Sequence, residues 1–335
     1  MRSRVIVFPE PGRVEVIEEQ VGPPGPGEVT IESHLSLVST GTELICLRGE
    51  CDPDTHWRPY ASPPHHPGYS VMGRVRAVGE GVEDIREGAR VCATMSHRDL
   101  ANRDAGALWC PRVPDDMNDE QAVWAILGVI TQTGVRQAEH VLGDRAVVVG
   151  LGPLGQLVTQ YLRAMGLREV MVIDQVQQRV DAALVHGATA GICGDVAEAG
   201  DFVAEHTAGR LADVVYDVTG HWAVLPQALP LARDHGTLVL LGDSPFPSRQ
   251  HLTYDVLSRQ VSIVGSRSSW LPPQHSFWTP REQTDLLFTY LRRGAMRVED
   301  LITHRFPPED APEVYRTLLQ DRERTLGVVY DWQGG

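Results

Sequence analysis

The sequence predicts an α/β protein in which a β-rich domain is followed by a doubly wound parallel sheet. From Met1 to about Arg112, short apolar β segments are broken repeatedly by proline and glycine, as in the Pro-Gly-Pro-Gly stretch at 24–27. From Arg145 onward, strand and helix patterns alternate regularly, which is typical of βαβ units around a parallel sheet. A chain of 335 residues is also long enough for two domains.

The domain boundary is predicted from a change in residue pattern. Near Asn118 the short β segments give way to apolar residues at helical spacing. We therefore expect a first domain at residues 1–118 and a second domain at 119–275. We expect residues 276–335 to pack back onto the first domain.

Each part of the chain carries its own predicted elements. In the C-terminal segment an amphipathic helix is expected near 281–293 and an apolar strand at 326–330. In the first domain, strands are predicted at 14–17, 29–31 and 71–78. In the second domain, six parallel strands are predicted, at 146–149, 169–173, 190–192, 214–217, 237–241 and 261–264.

Composition excludes several classes of function. Hydrophobic residues make up 42% of the chain and charged residues 22%, as in ordinary globular proteins. The 44 acidic against 30 basic side chains give a net charge of −14, which disfavours binding to nucleic acid and to anionic membranes. The sequence contains no lysine, so Schiff-base chemistry and Walker-type phosphate loops are excluded.

Cysteine usage and hydropathy bear on the compartment. The five cysteines are scattered, and no apolar leader precedes the alternating start of the chain, so we expect a reducing, cytoplasmic setting. The longest apolar stretch, near 122–130, is shorter than the 18 or so residues that a membrane span needs. No membrane association is expected.

The clearest motif is Gly150-Leu151-Gly152-Pro153-Leu154-Gly155, which joins an apolar strand to a helical pattern. In this context Gly150 permits a tight turn, Gly152 lets backbone amides approach a pyrophosphate, and Gly155 allows the helix to pack closely on the strand. The helix N-terminus adds partial positive charge. Pro153 and Leu154 lie within the loop, and the motif predicts dinucleotide binding.

The second strand of this unit ends at Asp174, about 19 residues past the last glycine of the motif. An acid there binds the adenosine ribose hydroxyls and repels a 2′-phosphate, so NAD(H) is favoured over NADP(H). Arg179 follows closely, and an arginine near the acid can reach a 2′-phosphate in another geometry. A solvated helix charge is the other interpretation of Arg179.

Several further motifs resemble the medium-chain dehydrogenase/reductase superfamily of alcohol-dehydrogenase-like proteins, over nearly the whole chain. They are Pro67-Gly68, Gly73-Arg74-Val75, Gly88-Ala89-Arg90-Val91 and Asp217-Val218-Thr219-Gly220. The resemblance implies a GroES-like catalytic domain, a Rossmann domain, a cleft between them, and a homo-oligomer, usually a dimer or tetramer. It also implies that Thr219 and Gly242 contact the cofactor.

This chain departs from the family at the zinc positions. Zinc-dependent members have Cys-Gly-Thr-Asp where this chain has Thr40-Gly41-Thr42-Glu43, and Gly-His-Glu where it has Gly68-Tyr69-Ser70. The third ligand falls near Leu127 and Gly128. Between residues 90 and 114 only Cys92 and Cys110 occur, whereas a structural zinc site needs four ligands.

These departures indicate a zinc-lacking branch of the superfamily, in which no zinc is expected at either site. A nonstandard metal site is the alternative that the sequence leaves open. Its possible ligands lie in one stretch, Cys46, Cys51, His56, His65 and His66, whose spacing matches no standard site.

Without a metal, hydrogen-bond donors must stabilise the charge that develops on a carbonyl or carbinol oxygen. By family position the candidates are Thr42, which matches the hydroxyl relay residue, and Tyr69, which replaces a metal ligand. A neighbouring cation, either the nicotinamide or one of His66 and His65, would favour the phenolate of Tyr69. Glu43 can orient a histidine or arginine. The alternatives are a core aromatic for Tyr69, a structural ion pair for Glu43 and an exposed loop for His65 and His66.

The expected reaction interconverts a secondary alcohol and a ketone with NAD(H) on a small-molecule substrate. Two aromatic-rich segments, 48–66 and 267–278, favour a cyclic or polyhydroxylated substrate from a specialised biosynthetic pathway, although aromatic clusters also form dimer interfaces. They carry Trp57, Tyr60, Trp270 and Trp278. A quinone- or enone-type reductase that uses NADPH, and a nicotinamide-binding sensor without chemistry, are the alternatives.

Overall fold

The computed structural model describes residues 1–334, which divide into two compact units. The first unit comprises Met1–Leu127, Trp278–Arg292 and the residues from Val298 onward, and the second comprises Gly128–Phe277 and Arg293–Arg297. The change of pattern near residue 118 marks the start of a helix, because Asn118 caps that helix through a capping box. The change of unit comes about ten residues later.

Antiparallel strands build the first part of the first unit. Its strands are β1 (Arg2–Val7), β2 (Glu15–Gln20), β3 (Glu28–Leu37), β4 (Val71–Val78), β5 (Arg90–Ala93) and β6 (Leu100–Asp104). Its helices are α1 (Thr40–Arg48), α2 (Trp57–Tyr60) and α3 (Asp119–Ala122), and α4 (Ala125–Gln137) follows. β1 pairs with β2, while β3 pairs with both β4 and β6, and β4 with β5.

The second unit is a parallel sheet with interspersed helices. Its strands are β7 (Arg145–Val149), β8 (Glu169–Asp174), β9 (Ala190–Cys193), β10 (Ala212–Asp217), β11 (Ala232–Leu240) and β12 (Ser262–Gly265). Its helices are α5 (Pro153–Ala164), α6 (Gln177–Val185), α7 (Gly200–His206), α8 (Val224–Ala228) and α9 (Tyr254–Ser258). Within residues 1–334 the strand order is β12-β11-β10-β7-β8-β9 and every pair is parallel, which confirms the six predicted parallel strands.

This strand order places a topological switch point between β7 and β10. The chain leaves β7 toward β8 on one side and returns to β10 on the other. Ligands of doubly wound sheets bind at the carboxyl ends of the strands at such a point. The site therefore belongs where β7, β8 and β10 end.

The C-terminal segment completes the sheet of the first unit. It carries α10 (Pro280–Arg292), β13 (Ile302–Phe306), α11 (Ala311–Gln320) and β14 (Gly327–Asp331). β14 pairs antiparallel with β3, with Val329 opposite Leu37, and β13 pairs parallel with β14. Short 3-10 turns lie at Ala105–Ala107, Val196–Glu198, Leu229–Leu231, Pro247–Arg249, Pro273–His275, Glu299–Leu301, Pro308–Asp310 and Arg322–Arg324.

Each unit has its own apolar core. In the first unit, Phe8 packs against Tyr315 in an edge-to-face contact, with Trp57, Leu44 and Tyr330 in the same cluster. In the second unit, β-branched residues of the strands pack under the helices. Among residues 1–334, no helix has both the length and the apolar character that a membrane span requires.

Candidate functional site

Backbone geometry explains the glycines of the predicted dinucleotide loop. Gly150 has a φ of +90°, in the left-handed region that side chains rarely adopt. A Cβ on Gly155 would lie 2.0 Å from the carbonyl oxygen of Gly150, so no larger residue fits there without a backbone shift. A Cβ on Gly152, by contrast, would meet no atom within 4 Å. Protein atoms therefore crowd Gly150 and Gly155, whereas Gly152 has free space beside it for a ligand.

The open side lies at the start of a helix. Gly152 is the N-cap of α5, and Pro153 occupies its first turn, with Leu154 next to it. The first amide groups of a helix have no partner within the helix, and the helix dipole favours negative charge at this end. This combination fits a phosphate group above Gly152.

Asp174 is fixed beside the loop by two backbone hydrogen bonds. Its Oδ2 accepts from the N–H of Leu151 at 2.6 Å, and its Oδ1 accepts from the N–H of Val176 at 2.9 Å. The carboxylate is half-buried at the end of β8 and keeps further lone pairs for a hydroxyl donor. Arg179 is half-buried on α6, where its carbonyl accepts from Nε2 of Gln156 at 2.8 Å.

The end of β10 brings a buried acid to the switch point. Oδ1 of Asp217 accepts from the N–H and the hydroxyl of Thr219, at 2.9 and 2.6 Å. Its Oδ2 is buried and has no hydrogen-bond partner among the described residues. Burial raises the pKa of Asp217 to about 6, although the bonds from Thr219 and Gly220 act in the opposite direction. In the sequence, Asp217 stands out only as part of a family motif.

Close backbone contacts hold these strand ends together. A Cβ on Gly242 would lie 2.2 Å from the amide nitrogen of Gly220, and one on Gly150 would lie 2.7 Å from Cγ2 of Thr219. The loops after β7, β10 and β11 therefore touch one another. In the second unit, the predicted cofactor residues lie around the same strand ends.

In the first unit, three hydroxyl side chains form what we call the hydroxyl cluster: Ser39, Thr42 and Tyr69. The phenol oxygen of Tyr69 lies 2.6 Å from Oγ of Ser39 and also hydrogen-bonds with Thr42. Ser39 is the N-cap residue of α1, and Thr42 lies in the first turn of that helix. Two of the predicted catalytic residues are thus in contact, and Ser39 is a third member that no motif in the sequence indicates.

The protonation of Tyr69 differs from the sequence-based expectation. Burial raises its pKa, and the hydrogen bonds from Ser39 and Thr42, which act in the opposite direction, do not compensate. The nearby carboxylate of Glu43 raises it further. In this environment Tyr69 is a neutral phenol, a hydrogen-bond donor rather than a base.

Glu43 lies behind the hydroxyl cluster and is fully buried. Its Oε1 accepts from the N–H of Ser39 at 2.7 Å, its Oε2 accepts from the hydroxyl of Tyr315, and Nε2 of His97 lies 3.2 Å from Oε2. Burial by itself would raise the pKa of Glu43, but the charge of His97 and these hydrogen bonds outweigh it and lower the pKa. Glu43 is therefore a buried carboxylate paired with a histidine, one of the two interpretations of its sequence position.

His97 extends this arrangement into the core. Its Nδ1 lies 2.7 Å from Oγ of Ser36, which also accepts from Nε1 of Trp332 at 2.9 Å. The ring packs so closely on Gly68 that a Cβ there would lie 2.7 Å from it. We call Glu43, His97, Tyr315, Ser36 and Trp332 the Glu43 network. The only signal for this network in the sequence is the acid Glu43 directly before the apolar run Leu44–Leu47 of α1, because a buried acid needs a partner.

His66 has a different partner from the one expected. Its Nε2 lies 3.2 Å from Oε1 of Glu19, and the other carboxylate oxygen of Glu19 accepts a hydrogen bond from Arg98. No hydrogen bond between His66 and Tyr69 occurs in residues 1–334. The expected support of a Tyr69 phenolate by His66 is therefore not seen in this arrangement.

The aromatic residues of the two segments differ in exposure. Trp57 is buried in the core of the first unit, so its ring offers no free face. Tyr60 is 46% exposed and Trp270 71% exposed. Trp278 is half-buried.

The residues at the family's zinc positions do not fit a zinc ion. The first two positions hold Thr40 and Tyr69, and the third falls at Leu127 and Gly128, none of which offers the thiolate, imidazole or carboxylate that zinc prefers. Burial, with the charge of Glu43, raises the pKa of Cys46 to about 12, so this thiol is not available as a thiolate.

The alternative metal site also lacks a matching cluster. In the part of the chain that the structure describes, no three or more His, Cys, Asp or Glu side chains come together as metal ligands. Cys46, Cys51, His56, His65 and His66 are thus not gathered into such a group.

Comparison with known proteins identifies both halves of the chain. Residues 25–153 match the model of the alcohol dehydrogenase GroES-like domain, and residues 153–276 match the model of the zinc-binding dehydrogenases. The starvation-sensing protein RspB of Escherichia coli (strain K12) is 24% identical, with 97% of this chain and 98% of that protein covered. The (R,R)-butanediol dehydrogenase of Bacillus subtilis (strain 168) is 30% identical over 78% of this chain and 80% of that protein.

Solved structures agree on the fold. The crystal structure of the alcohol dehydrogenase rspB from Escherichia coli CFT073, complexed with NADH, superposes with a TM-score of 0.81 at 22% identity, and 99% of each chain is covered. The predicted α/β class, with a GroES-like β domain and a parallel Rossmann sheet, is confirmed. The chain belongs to the zinc-binding, medium-chain alcohol dehydrogenase family of NAD(P)-dependent oxidoreductases.

Proposed function

We propose that this protein is a zinc-independent dehydrogenase that uses NAD(H) to interconvert a secondary alcohol and a ketone on a cyclic or polyhydroxylated small molecule. The hydroxyl cluster is the observation that carries the proposal. It puts a donor, Tyr69, at a position where the family's motif has a metal ligand, and Tyr69 is held in hydrogen-bond contact with both Ser39 and Thr42. A specialised biosynthetic role, a cytoplasmic location and a homo-oligomeric state remain predictions from the sequence.

The reaction assigns a role to each member of the hydroxyl cluster. When bound, the nicotinamide supplies or accepts the hydride. Tyr69, which is a neutral phenol, donates a hydrogen bond and then its proton to the substrate oxygen as negative charge develops there. Ser39 and Thr42 orient the phenol and share its hydrogen bonds. In the direction of oxidation, the same chain of hydroxyls accepts the proton.

Glu43 and His97 serve as positioning residues in this scheme. The carboxylate of Glu43 holds the N–H of Ser39, and so fixes the start of α1, from which Ser39 and Thr42 project. Its full burial keeps it from any direct part in the proton transfer.

The preference for NAD(H) rests on Asp174. Its carboxylate is fixed by Leu151 and Val176, and no change of rotamer can move it without the loss of both bonds. A fixed negative charge at the end of β8 repels a 2′-phosphate and accepts from ribose hydroxyls. Titration of the full-length protein with NADH and with NADPH tests this, and tighter binding of NADPH would contradict it.

The substitution of Tyr69 by phenylalanine tests the proposed chemistry. Tyr69→Phe removes the donor and is expected to lower kcat by about 100-fold or more, while NADH affinity changes little. Tyr60→Phe is the matched control, since Tyr60 lies on the same segment of the chain but is 46% exposed and outside the hydroxyl cluster. Turnover is measured as deuterium transfer from labelled NADH to a panel of cyclic ketones and keto-sugars.

Metal analysis separates the proposal from its rivals. Stoichiometric zinc in the purified enzyme, with turnover lost on chelation and restored by zinc, would overturn it. NADH binding without deuterium transfer to any ketone would favour a sensor. Preferential reduction of conjugated C=C bonds with NADPH would favour a quinone- or enone-type reductase.

A further inference from the structure

Cys92 and Cys110 lie directly opposite each other in an antiparallel bridge outside the candidate site. The N–H of Cys92 donates to the carbonyl of Cys110 at 2.9 Å, and the N–H of Cys110 donates back to the carbonyl of Cys92 at 3.2 Å. Residues that exchange both bonds in this way have Cα atoms about 5.5 Å apart and side chains on the same face. Disulfides form at Cα separations of about 4.4 to 6.8 Å.

The two sulfur atoms are already neighbours. The thiols lie within hydrogen-bonding reach of each other, and Sγ of Cys92 is also 3.2 Å from the carbonyl oxygen of Ala122. The Cys92 thiol lowers the pKa of Cys110, whereas burial raises the pKa of Cys92 itself. Cys110 is therefore the better nucleophile of the pair.

The pair is buried but close to the surface. Cys92 is 1% exposed and Cys110 6% exposed. On either side of Cys110, Trp109 and Pro111 are only half-buried, and Arg112 is exposed. A small oxidant thus needs only a local opening of this loop to reach Cys110.

We propose that Cys92 and Cys110 form a redox-active dithiol that hydrogen peroxide converts into a reversible disulfide. The thiolate of Cys110 attacks one oxygen of the peroxide, the O–O bond breaks, and Cys110 becomes a sulfenic acid as hydroxide leaves. The sulfur of Cys92 then attacks the sulfur of Cys110, the S–O bond breaks, and water leaves with the proton from Cys92. Two thiols are oxidised, and one peroxide is reduced to two water molecules.

The other cysteines lack this arrangement. Cys46 is buried within α1, Cys51 is half-buried after it, and Cys193 is exposed at the end of β9. Among the bridges and ladders of the described residues, no other two cysteines are cross-strand partners. They provide internal controls for oxidation of a single thiol.

Peptide mapping of the full-length protein tests the proposal without any variant. After peroxide treatment, denaturation and alkylation, trypsin places Cys92 in the peptide 91–98 and Cys110 in the peptide 104–112. We expect these two peptides to be cross-linked, and to separate after treatment with dithiothreitol. Recovery of both as separate alkylated peptides, at peroxide doses that oxidise Cys193, would overturn the proposal. A link between the peptides 14–48 and 49–74 in place of the expected one would also overturn it.

Two variants sharpen this result. Cys110→Ser is expected to abolish the cross-link and leave a free, alkylated Cys92. Cys193→Ser is expected to leave the cross-link unchanged, because the exposed thiol has no part in it. A cross-link that disappears with Cys193→Ser would show that the bond forms by another route and would contradict the assignment.

Discussion

The two units hold their functional residues by different physical means. In the second unit the backbone positions the functional residues. Gly150 and Gly155 allow close backbone contacts, and Asp174 accepts hydrogen bonds from two backbone amides. In the first unit side chains position them, because Tyr69 and Glu43 are hydrogen-bonded to side chains from distant parts of the chain. A backbone site is therefore specified by a short motif, whereas a side-chain site is specified by the fold as a whole.

The same contrast appears in the two buried acids. Glu43 is satisfied by His97, Tyr315 and a backbone amide, and its pKa lies below the ordinary value. Asp217 has Oδ2 buried without a hydrogen-bond partner among the described residues, and its pKa rises to about 6. Burial is common to both, so the partners decide which form of the acid is stable.

The largest expected effect comes from breaking the Glu43 network. Glu43→Gln removes the charge that faces His97 and is expected to lower the free energy of unfolding by about 3 to 5 kcal/mol at neutral pH. Glu50→Gln, at an exposed position just after α1, should change it by less than about 0.5 kcal/mol. Urea denaturation of both variants measures the difference.

This effect has a defined pH dependence. Because the folded-state pKa of Glu43 is lowered, its contribution to stability is fully present above the ordinary value of 4.5 and is lost as the pH falls through the folded-state pKa. The gap between wild type and Glu43→Gln should close in acid. A small gap that stays constant with pH would mean that the side-chain network does not hold this unit.

The glycine loop gives the next largest effect, and it offers a matched pair. Gly155→Ala places a Cβ 2.0 Å from the backbone oxygen of Gly150 and is expected to cost about 3 kcal/mol of stability. Gly152→Ala meets no protein atom within 4 Å, so stability should be nearly unchanged while NADH affinity falls. Thermal unfolding and NADH titration separate the two. Equal effects of both variants on stability would contradict a loop that is open only at Gly152.

Asp217→Asn is expected to produce an effect of opposite sign and of at most similar size. Because the folded-state pKa of Asp217 is raised from 3.8 to about 6, the ionised side chain destabilises the fold as the pH rises through this window. The variant should therefore gain up to about 3 kcal/mol relative to wild type between pH 4 and pH 7.5. Glu205→Gln, which is exposed on α7, should show no such trend. If the variant shows no gain in stability over wild type at pH 7.5, the interpretation of Asp217 as a strained buried acid is wrong.

Much of the second unit could be predicted from the sequence, because its signals are local. The strand, the three glycines and the helix occupy adjacent positions, and Asp174 follows at a characteristic distance. Asp217 was the exception, since nothing in the sequence shows that one of its oxygens is buried without a hydrogen-bond partner in the described part.

The first unit was harder to predict because its contacts are long-range. Thr42, Glu43 and Tyr69 were found through family positions, but Glu43 pairs with His97, 54 residues away, and with Tyr315, 272 residues away. No periodic pattern in the sequence indicates such long-range pairs. His66 was assigned by proximity in sequence to Tyr69, and the fold directs it to Glu19 instead. The absence of zinc is likewise a prediction, and metal analysis tests it.

The distance in sequence between Glu43 and its partners has a consequence for biosynthesis. Tyr315 and Trp332 leave the ribosome long after β3 and α1, yet the hydrogen bonds around Glu43 and Ser36 require them. While the intervening residues are being translated, an acidic side chain destined for the interior must remain hydrated. The hydroxyl cluster is thus positioned only late in synthesis. A nascent chain that ends before residue 315 lacks Tyr315 and Trp332, and so cannot form the Glu43 network behind the cluster.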